Sequence, residues 1–318
     1  MANVLVTGGA GFIASHIATA CVQRGDVVRV LDNLCTGFKH NLKHIADDIE
    51  FIEGDVADEQ VTAQAMKDVE IVFHQAALAS VPMSLENPLA TNHSCVTGTV
   101  NVLQQAVRAG VRRVVYAASS SAYGDRPFSA KRETDLPQVL SPYAAAKLAG
   151  ELYCQAFYHS FGLETVGLRY FNVFGPRQDP ASPYSAVIPL FVTAILGGSQ
   201  PIIFGDGGQS RDFIFVENVV QGNLLAAEAK QAAGRIFNLA EGRQTSLLQL
   251  LDLLSKLLGK PVSPDFQPPR AGDVRESLAD ITQARTVLGF EPKTDLEQGL
   301  RKTIDYYREI AQRKLASA

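Results

Sequence analysis

The chain has 318 residues, 46% of them hydrophobic and 19% charged, with a mean hydropathy of +0.03. That is enough apolar side chain for one large core or a large core plus a smaller one, which excludes a stapled miniature scaffold and a disordered chain. A net charge of −4 supplies no general drive toward phosphate backbones or anionic lipid, so neither nucleic acid nor membrane is an expected partner.

Val4 to Val6 is a short β-branched run, followed by Thr7-Gly8-Gly9-Ala10-Gly11 and an amphipathic stretch from Phe12 to Arg24 closed by Gly25. This predicts strand, glycine turn and helix. Val27 to Leu31, Phe51-Ile52 and Ile71 to Phe73 are the next strand candidates. Val100 to Ala109 reads as a helix, Val114 to Ala117 as a strand, Tyr143 to Phe161 as a long helix and Thr165 to Leu168 as a strand. Such alternation predicts an α/β fold, a doubly wound parallel sheet covered on both faces. Beyond Gly175-Pro176 prolines punctuate short segments, so a smaller, loop-rich α/β subdomain is expected, with Phe213 to Val216 and Ile236 to Leu239 returning to the sheet before a helix over Leu247 to Leu258. The expected division is a dinucleotide domain of residues 1–172 plus about 213–240, and a second unit of about 173–212 plus 241–318.

Gly9-x-Gly11-x-x-Ala14 sits where a βαβ dinucleotide fingerprint must sit, after the first strand and opening the first helix. Glycines there make a tight turn and let backbone N–H groups approach a pyrophosphate, and a small third residue allows helix to pack on strand. Asp32 ends the second strand about twenty residues on, where a carboxylate suits ribose hydroxyls and repels a 2′-phosphate. NAD is therefore expected over NADP. Asp55, after Gly54, and Ala76-Ala77 fall at the carboxyl ends of the next strands. Taken singly, each is as readily an ordinary loop residue.

Tyr143 and Lys147 are one helical turn apart, so phenol and ammonium share a face. An ammonium at ~4 Å with an effective dielectric of ~20 contributes roughly 4 kcal/mol, or about three pKa units. Tyr143 then works as a general base near neutral pH, taking a hydroxyl proton as hydride leaves for a nicotinamide. Ser119, Ser120 and Ser121 follow the strand Val114 to Ala117, where hydroxyls can hold the reacting oxygen. A surface helix pair and a polar serine loop are the competing explanations. His40 and His44, flanked by Lys39, Lys43, Asp47 and Asp48, read as a solvated turn, and no metal is expected.

These pieces together resemble an extended short-chain dehydrogenase/reductase, and within it the NAD-dependent nucleotide-sugar 4-epimerases. The resemblance runs through Thr7 to Ile13, Asp32-Asn33, Gly54-Asp55-Val56, His74-Gln75-Ala76-Ala77, Ser119 to Gly124, Tyr143 to Lys147, Leu168 to Asn172 and Ser210 to Phe213. It implies Tyr143 as base, Ser119 as its hydroxyl partner and Lys147 on the nicotinamide ribose. It also implies cofactor contacts at Gly8, Gly11, Phe12, Ile13, Asn33, Val56, Gln75 and Tyr170, and substrate contacts at Ala79, Ser120, Ser121, Asn172, Val187, Arg211 and Arg270. The two arginines would grip a uridine diphosphate. The serine loop lacks the acids that related dehydratases add, so reversible oxidation at C4 is the implied chemistry, with a redox-neutral cycle. Ser277, seven residues after Arg270, stands where a tyrosine marks epimerases restricted to unacetylated sugars. With Asn172, Gln178 and Ala186 it implies a UDP-N-acetylhexosamine substrate, UDP-glucose and UDP-uronic acids being the alternatives. A net dehydrogenase, reductase or decarboxylase of nucleotide sugars, and a non-catalytic dinucleotide sensor, are the rival readings. The chain departs from the family pattern at Ala14 and at Cys95, where an asparagine is usual. Family members dimerise through two helices, corresponding here to Thr91 to Ala109 and Tyr143 to Phe161. The four cysteines form no C-x-x-C pair and no leader segment is read, so a cytoplasmic setting is expected.

Overall fold

The computed structural model describes residues 1–125, 130–182, 185–269 and 274–316. Its first half alternates strands and helices: β1 (Asn3–Thr7), α1 (Phe12–Gln23), β2 (Val27–Asp32), β3 (Ile49–Glu53), α2 (Glu59–Ala65) and β4 (Ile71–His74). Two short helices, α3 (Val81–Glu86) and α4 (Pro88–Asn92), lead through a wide π-turn at His93–Thr97 into α5 (Gly98–Ala109). β5 (Arg113–Ser119), α6 (Pro142–Phe161) and β6 (Glu164–Tyr170) follow. The second half contains β7 (Asn172–Phe174), α7 (Val187–Leu196), β8 (Ile202–Phe204), β9 (Ser210–Arg211), β10 (Phe213–Phe215) and α8 (Val216–Glu228). It ends with β11 (Arg235–Leu239), β12 (Thr245–Ser246), α9 (Leu247–Leu258), β13 (Asp265–Gln267) and α10 (Leu296–Ala316).

Seven strands form one parallel sheet in the order β11-β6-β5-β4-β1-β2-β3. The order reverses between β1 and β4, and in an open α/β sheet that reversal leaves a crevice at the carboxyl ends of those strands. Alternation along β1 explains why the run is apolar throughout: Val4 and Val6 pack into the core beneath α1 and α8, while Leu5 packs with Val102 and Leu103 of α5 on the other face. A separate core joins Phe174, Phe191, Phe213 and Phe215 to the leucines of α9 and to Leu300 and Ile304 of α10. None of the described helices is long and apolar enough to cross a membrane.

One strand expectation is corrected. Ile236 to Leu239 joins the sheet edge as part of β11, but Phe213 to Phe215 pairs with Asn172–Phe174 in a two-stranded ribbon apart from the main sheet. Its phenylalanines face the second core and Ile214 the first, so the segment is buried on both faces like a sheet strand without being one. Its apolar run encodes that burial and not the partner.

Candidate active site

The crevice starts at the glycine turn. Gly8 takes φ of +68°, and a Cβ there would lie 2.8 Å from Cα and N of Ala76, so the end of β1 presses against the segment leaving β4. The Gly8 N–H donates to the Leu31 carbonyl at 2.7 Å and that of Gly11 to the Gly8 carbonyl at 2.9 Å. Gly8, not Gly9, makes the left-handed turn; Gly9 lies against Val30. No side chain caps α1, so the N–H groups of its first turn are open to an anion. Ala14 is buried and fills the packing role expected of it.

Asp32 does more than face the crevice. Its Oδ2 accepts the Ala10 N–H at 2.9 Å and its Oδ1 the Leu34 N–H at 2.7 Å, and burial pushes its carboxyl up. The carboxylate thus holds the glycine turn as well as lining the cleft. Asn33 donates to Asp55 Oδ2 at 2.9 Å, tying the ends of β2 and β3 together. A cleft of about 670 Å³ is lined by Gly8, Gly11, Phe12, Ile13, Asp32, Asn33, Asp55 and Val56 on one side. Gln75, Ala76, Ala77, Ala79, Tyr143, Lys147 and Tyr170 line the rest.

His74 anchors this rim through a relay that sequence reasoning missed. The Thr99 hydroxyl donates to the Cys95 carbonyl at 2.6 Å, so it can only accept from His74 Nε2, 2.9 Å away. Nδ1 is then the acceptor for the Thr7 hydroxyl at 2.8 Å, and the Thr7 oxygen in turn accepts the N–H groups of Gln75 and Ala76. Complete burial drives the imidazole pKa down to about 3, consistent with a neutral ring.

Ser141 caps α6 by accepting the Ala144 N–H, Pro142 occupies its first turn, and Tyr143 and Lys147 come out on the same cleft wall. Ser119 and Tyr143 line the same cavity wall, and the Ser119 hydroxyl accepts from the Ser121 hydroxyl at 2.9 Å. The electrostatic expectation needs correction. Burial pushes the phenol up to about 12, the nearby Ser119 hydroxyl pulls the other way, and Lys147 is not among the groups that lower it. Burial lowers the pKa of Lys147 itself, so its charge is disfavoured where the phenol ionises; its Nζ donates to the Ala117 carbonyl at 2.9 Å. Cys95 is buried beside this pair and raises both values.

A second cavity, about 640 Å³, lies across Tyr143 and Tyr170 from the first and shares Ala79 and Ala186 with it. Ser119, Ser120, Ser121, Asn172, Val187, Arg211 and Ser277 line it. Ala186 and Val187 open α7, whose first turn has no side-chain cap. Gln178 is the exception: it lines the first cleft and not this pocket, its Nε2 donating to the Val173 carbonyl at 3.4 Å and its Oε1 buried with no partner. Its loop is drawn toward α10, where the Tyr307 hydroxyl donates to the Gln178 carbonyl. Arg270 lies outside the described residues.

Two further groups brace the site. Glu151, one turn beyond Lys147, forms a buried bidentate pair with Arg169, the residue before Tyr170, at 2.9 and 2.7 Å. Asp212, wholly buried beside Arg211, accepts backbone N–H groups from distant segments. The pair was hidden by sequence distance. Its only signal was an acid at i+4 from Lys147.

The parallel sheet, the left-handed glycine turn against β4 and a half-buried tyrosine beside a buried lysine in the same crevice define a dinucleotide-dependent enzyme of the α/β class. NAD fits: at Gly8 the backbone leaves no room for a Cβ, and the uncapped α1 N-terminus and Asp32 face the cleft. The chain belongs to the NAD dependent epimerase/dehydratase family, whose model matches residues 4–240, and it is an NAD-using enzyme. It is 38% identical over 315 residues to a UDP-glucose 4-epimerase of Mycolicibacterium smegmatis, covering 98% of this chain and all of the relative. A UDP-glucuronate 4-epimerase of Thermodesulfobacterium geofontis is 33% identical, covering 97% of each chain. Among solved structures, UDP-N-acetylglucosamine 4-epimerase from Methanobrevibacter ruminantium, in complex with UDP-N-acetylmuramic acid, superposes with a TM-score of 0.93. It is 39% identical, covering 98% of this chain and 99% of that one.

Proposed function

We propose that the protein is a UDP-sugar 4-epimerase that interconverts UDP-N-acetylglucosamine and UDP-N-acetylgalactosamine. The observation that carries the reading is that Tyr143 lines both cavities, with Ser119 on the wall of the second, where a C4 hydroxyl in one would face a nicotinamide in the other. Bound NAD supplies the acceptor and donor of hydride. Tyr143 takes the C4 hydroxyl proton as the C4 hydride leaves, which oxidises C4 to a ketone; after the 4-keto sugar turns over, hydride returns to the opposite face and Tyr143 returns the proton. Ser119 orients the reacting oxygen. Protein groups by themselves put the phenol at about 12. Ionisation near neutral pH would therefore draw on the positive charge that an oxidised nicotinamide would bring to the cleft.

Arg211 and the open N-terminus of α7 suit a diphosphate. Ser277, where a tyrosine would restrict the pocket, leaves room for an N-acetyl group. UDP-glucose and UDP-glucuronate are the second reading, supported by the activities in the names of the relatives. Incubating the protein with each of the three UDP-sugars and resolving products by NMR tests the reading. Fastest turnover of UDP-N-acetylglucosamine is expected, and turnover of UDP-glucuronate alone would overturn the substrate assignment.

The assembly we propose is a homodimer in the cytoplasm. Leu152, Tyr153 and Phe161 of α6 are exposed on a helix of the expected pair, and the free cysteines suit a reducing compartment. Light scattering giving a monomer at micromolar concentration would remove the dimer.

A further inference from the structure

Asp212 has none of its surface exposed and sits between Arg211 and Phe213, where β9 turns into β10. Its Oδ1 accepts the Glu241 N–H at 2.9 Å, its Oδ2 the Ala279 N–H at 3.1 Å, and the Gly242 N–H is shared between the two oxygens at 3.2 and 3.1 Å. Its own carbonyl accepts the Asn172 N–H at 3.1 Å. One residue therefore joins the segment after β11, the segment that carries Ser277, and the start of β7. The bracing continues along the same line: the Ser277 N–H donates to the Ser210 carbonyl at 3.2 Å and the Ser210 N–H to the Arg275 carbonyl at 3.0 Å.

We propose that Asp212 is a positioning residue for the sugar nucleotide, a carboxylate clamp that sets Arg211, Asn172 and Ser277 at their mutual spacing around the second cavity. Burying a carboxylate is costly, and an apolar side chain would serve if packing were its only task. What a carboxylate adds is acceptor capacity for three N–H groups from two segments that no sheet joins. Burial pushes its carboxyl up to about 7 while those backbone donors pull the other way, so the donors are what favour the charged form. The clamp touches neither cavity directly. The proposal rests on the reading of that cavity as the UDP-sugar pocket.

Asp212→Asn keeps the shape but turns one acceptor into a donor facing backbone N–H groups. The expected result is a tenfold or greater rise in KM for UDP-N-acetylglucosamine and in Kd for UDP by calorimetry. The NAD content of the purified protein should stay unchanged and kcat within threefold. Unchanged KM and Kd, or a fall in kcat with KM unchanged, overturns the clamp. Hydrogen exchange on the unsubstituted protein gives an answer even where the variant does not fold. The amides of Glu241, Gly242 and Ala279 should open with one common free energy and gain protection together when UDP is added, and independent opening overturns the clamp. An unsubstituted protein that fails to bind UDP would bring down the reading of the pocket, whereas UDP binding left intact by Asp212→Asn brings down the clamp alone.

Discussion

Glu151→Gln separates the frame of the active site from its chemistry. Glu151 and Arg169 are 2% and 4% exposed and joined by two hydrogen bonds of 2.9 and 2.7 Å, and one guanidinium nitrogen of Arg169 already lacks a partner. Burial alone would pull the guanidinium pKa down, but the hydrogen bonds and charge of Glu151 more than offset it, so the net shift is upward. Glutamine keeps one acceptor and sets an N–H group against the other nitrogen, leaving a buried cation without a counter-charge. Breaking a buried pair in this way costs about 3–5 kcal/mol, against a total of about 5–15 for a domain. The stacking of Arg169 over the Tyr123 ring, 4.6 Å from its centroid, survives and places the loss at the lower end, about 3 kcal/mol. With an unfolding entropy of ~2.1 cal/mol/K per residue, that is a fall of roughly 4–5 °C in Tm. Thermal and denaturant unfolding measure it directly. Because the pair bolts α6, with Tyr143 and Lys147, to β6, with Tyr170, kcat should fall together with Tm. A double change of both residues to methionine should recover much of the stability. A loss below 1 kcal/mol for Glu151→Gln would refute the argument that this charge pair is held out of solvent.

Gly8→Ala should cost NAD affinity tenfold or more, because a Cβ 2.8 Å from the Ala76 backbone must displace the rim of the cleft. Gly25→Ala, also at positive φ but with nothing within 4 Å of the added carbon, is the control and should leave NAD binding intact. Tyr143→Phe should lower kcat by at least 10³-fold with KM for the UDP-sugar nearly unchanged, and retained turnover would remove Tyr143 as base. The pH dependence of stability carries a sign that can be worked out. His16 and His74 have folded pKa values near 4 and 3, below 6.5, so each contributes stability that is present above pH 6.5 and lost as pH falls toward those values. Asp212, raised from 3.8 to about 7, opposes them over the same range. Each proton is worth about 1.4 kcal/mol per pH unit. His74→Gln should therefore flatten the unfolding free energy by one proton between pH 6.5 and about 3 relative to the unsubstituted protein, and parallel curves would contradict a buried neutral imidazole.

Local sequence was a good guide wherever the physics is local. The β1 run, the glycine turn after it and the i,i+4 spacing of Tyr143 and Lys147 each depend on residues a few positions apart and are found where they were read, with the left-handed step at Gly8. The strand β10 misled because an apolar run records burial, and burial in a two-stranded ribbon between two cores looks the same as burial in a sheet. Gln178 was assigned to the sugar pocket by pattern, but its loop is drawn toward α10 by the Tyr307 hydroxyl 129 residues away.

The amino-acid order by itself determined the parallel α/β architecture, the dinucleotide turn and the shared face of Tyr143 and Lys147, since periodicity, glycine placement and helical spacing operate over one or two turns of chain. Only the tertiary structure decided how those side chains are held. Lys147 is turned to Ala117, His74 is fixed as a neutral relay between Thr7 and Thr99, and Glu151 meets Arg169 across 18 residues of sequence. Each of these is a buried polar contact whose partner is chosen by where two elements pack, and no local pattern encodes it.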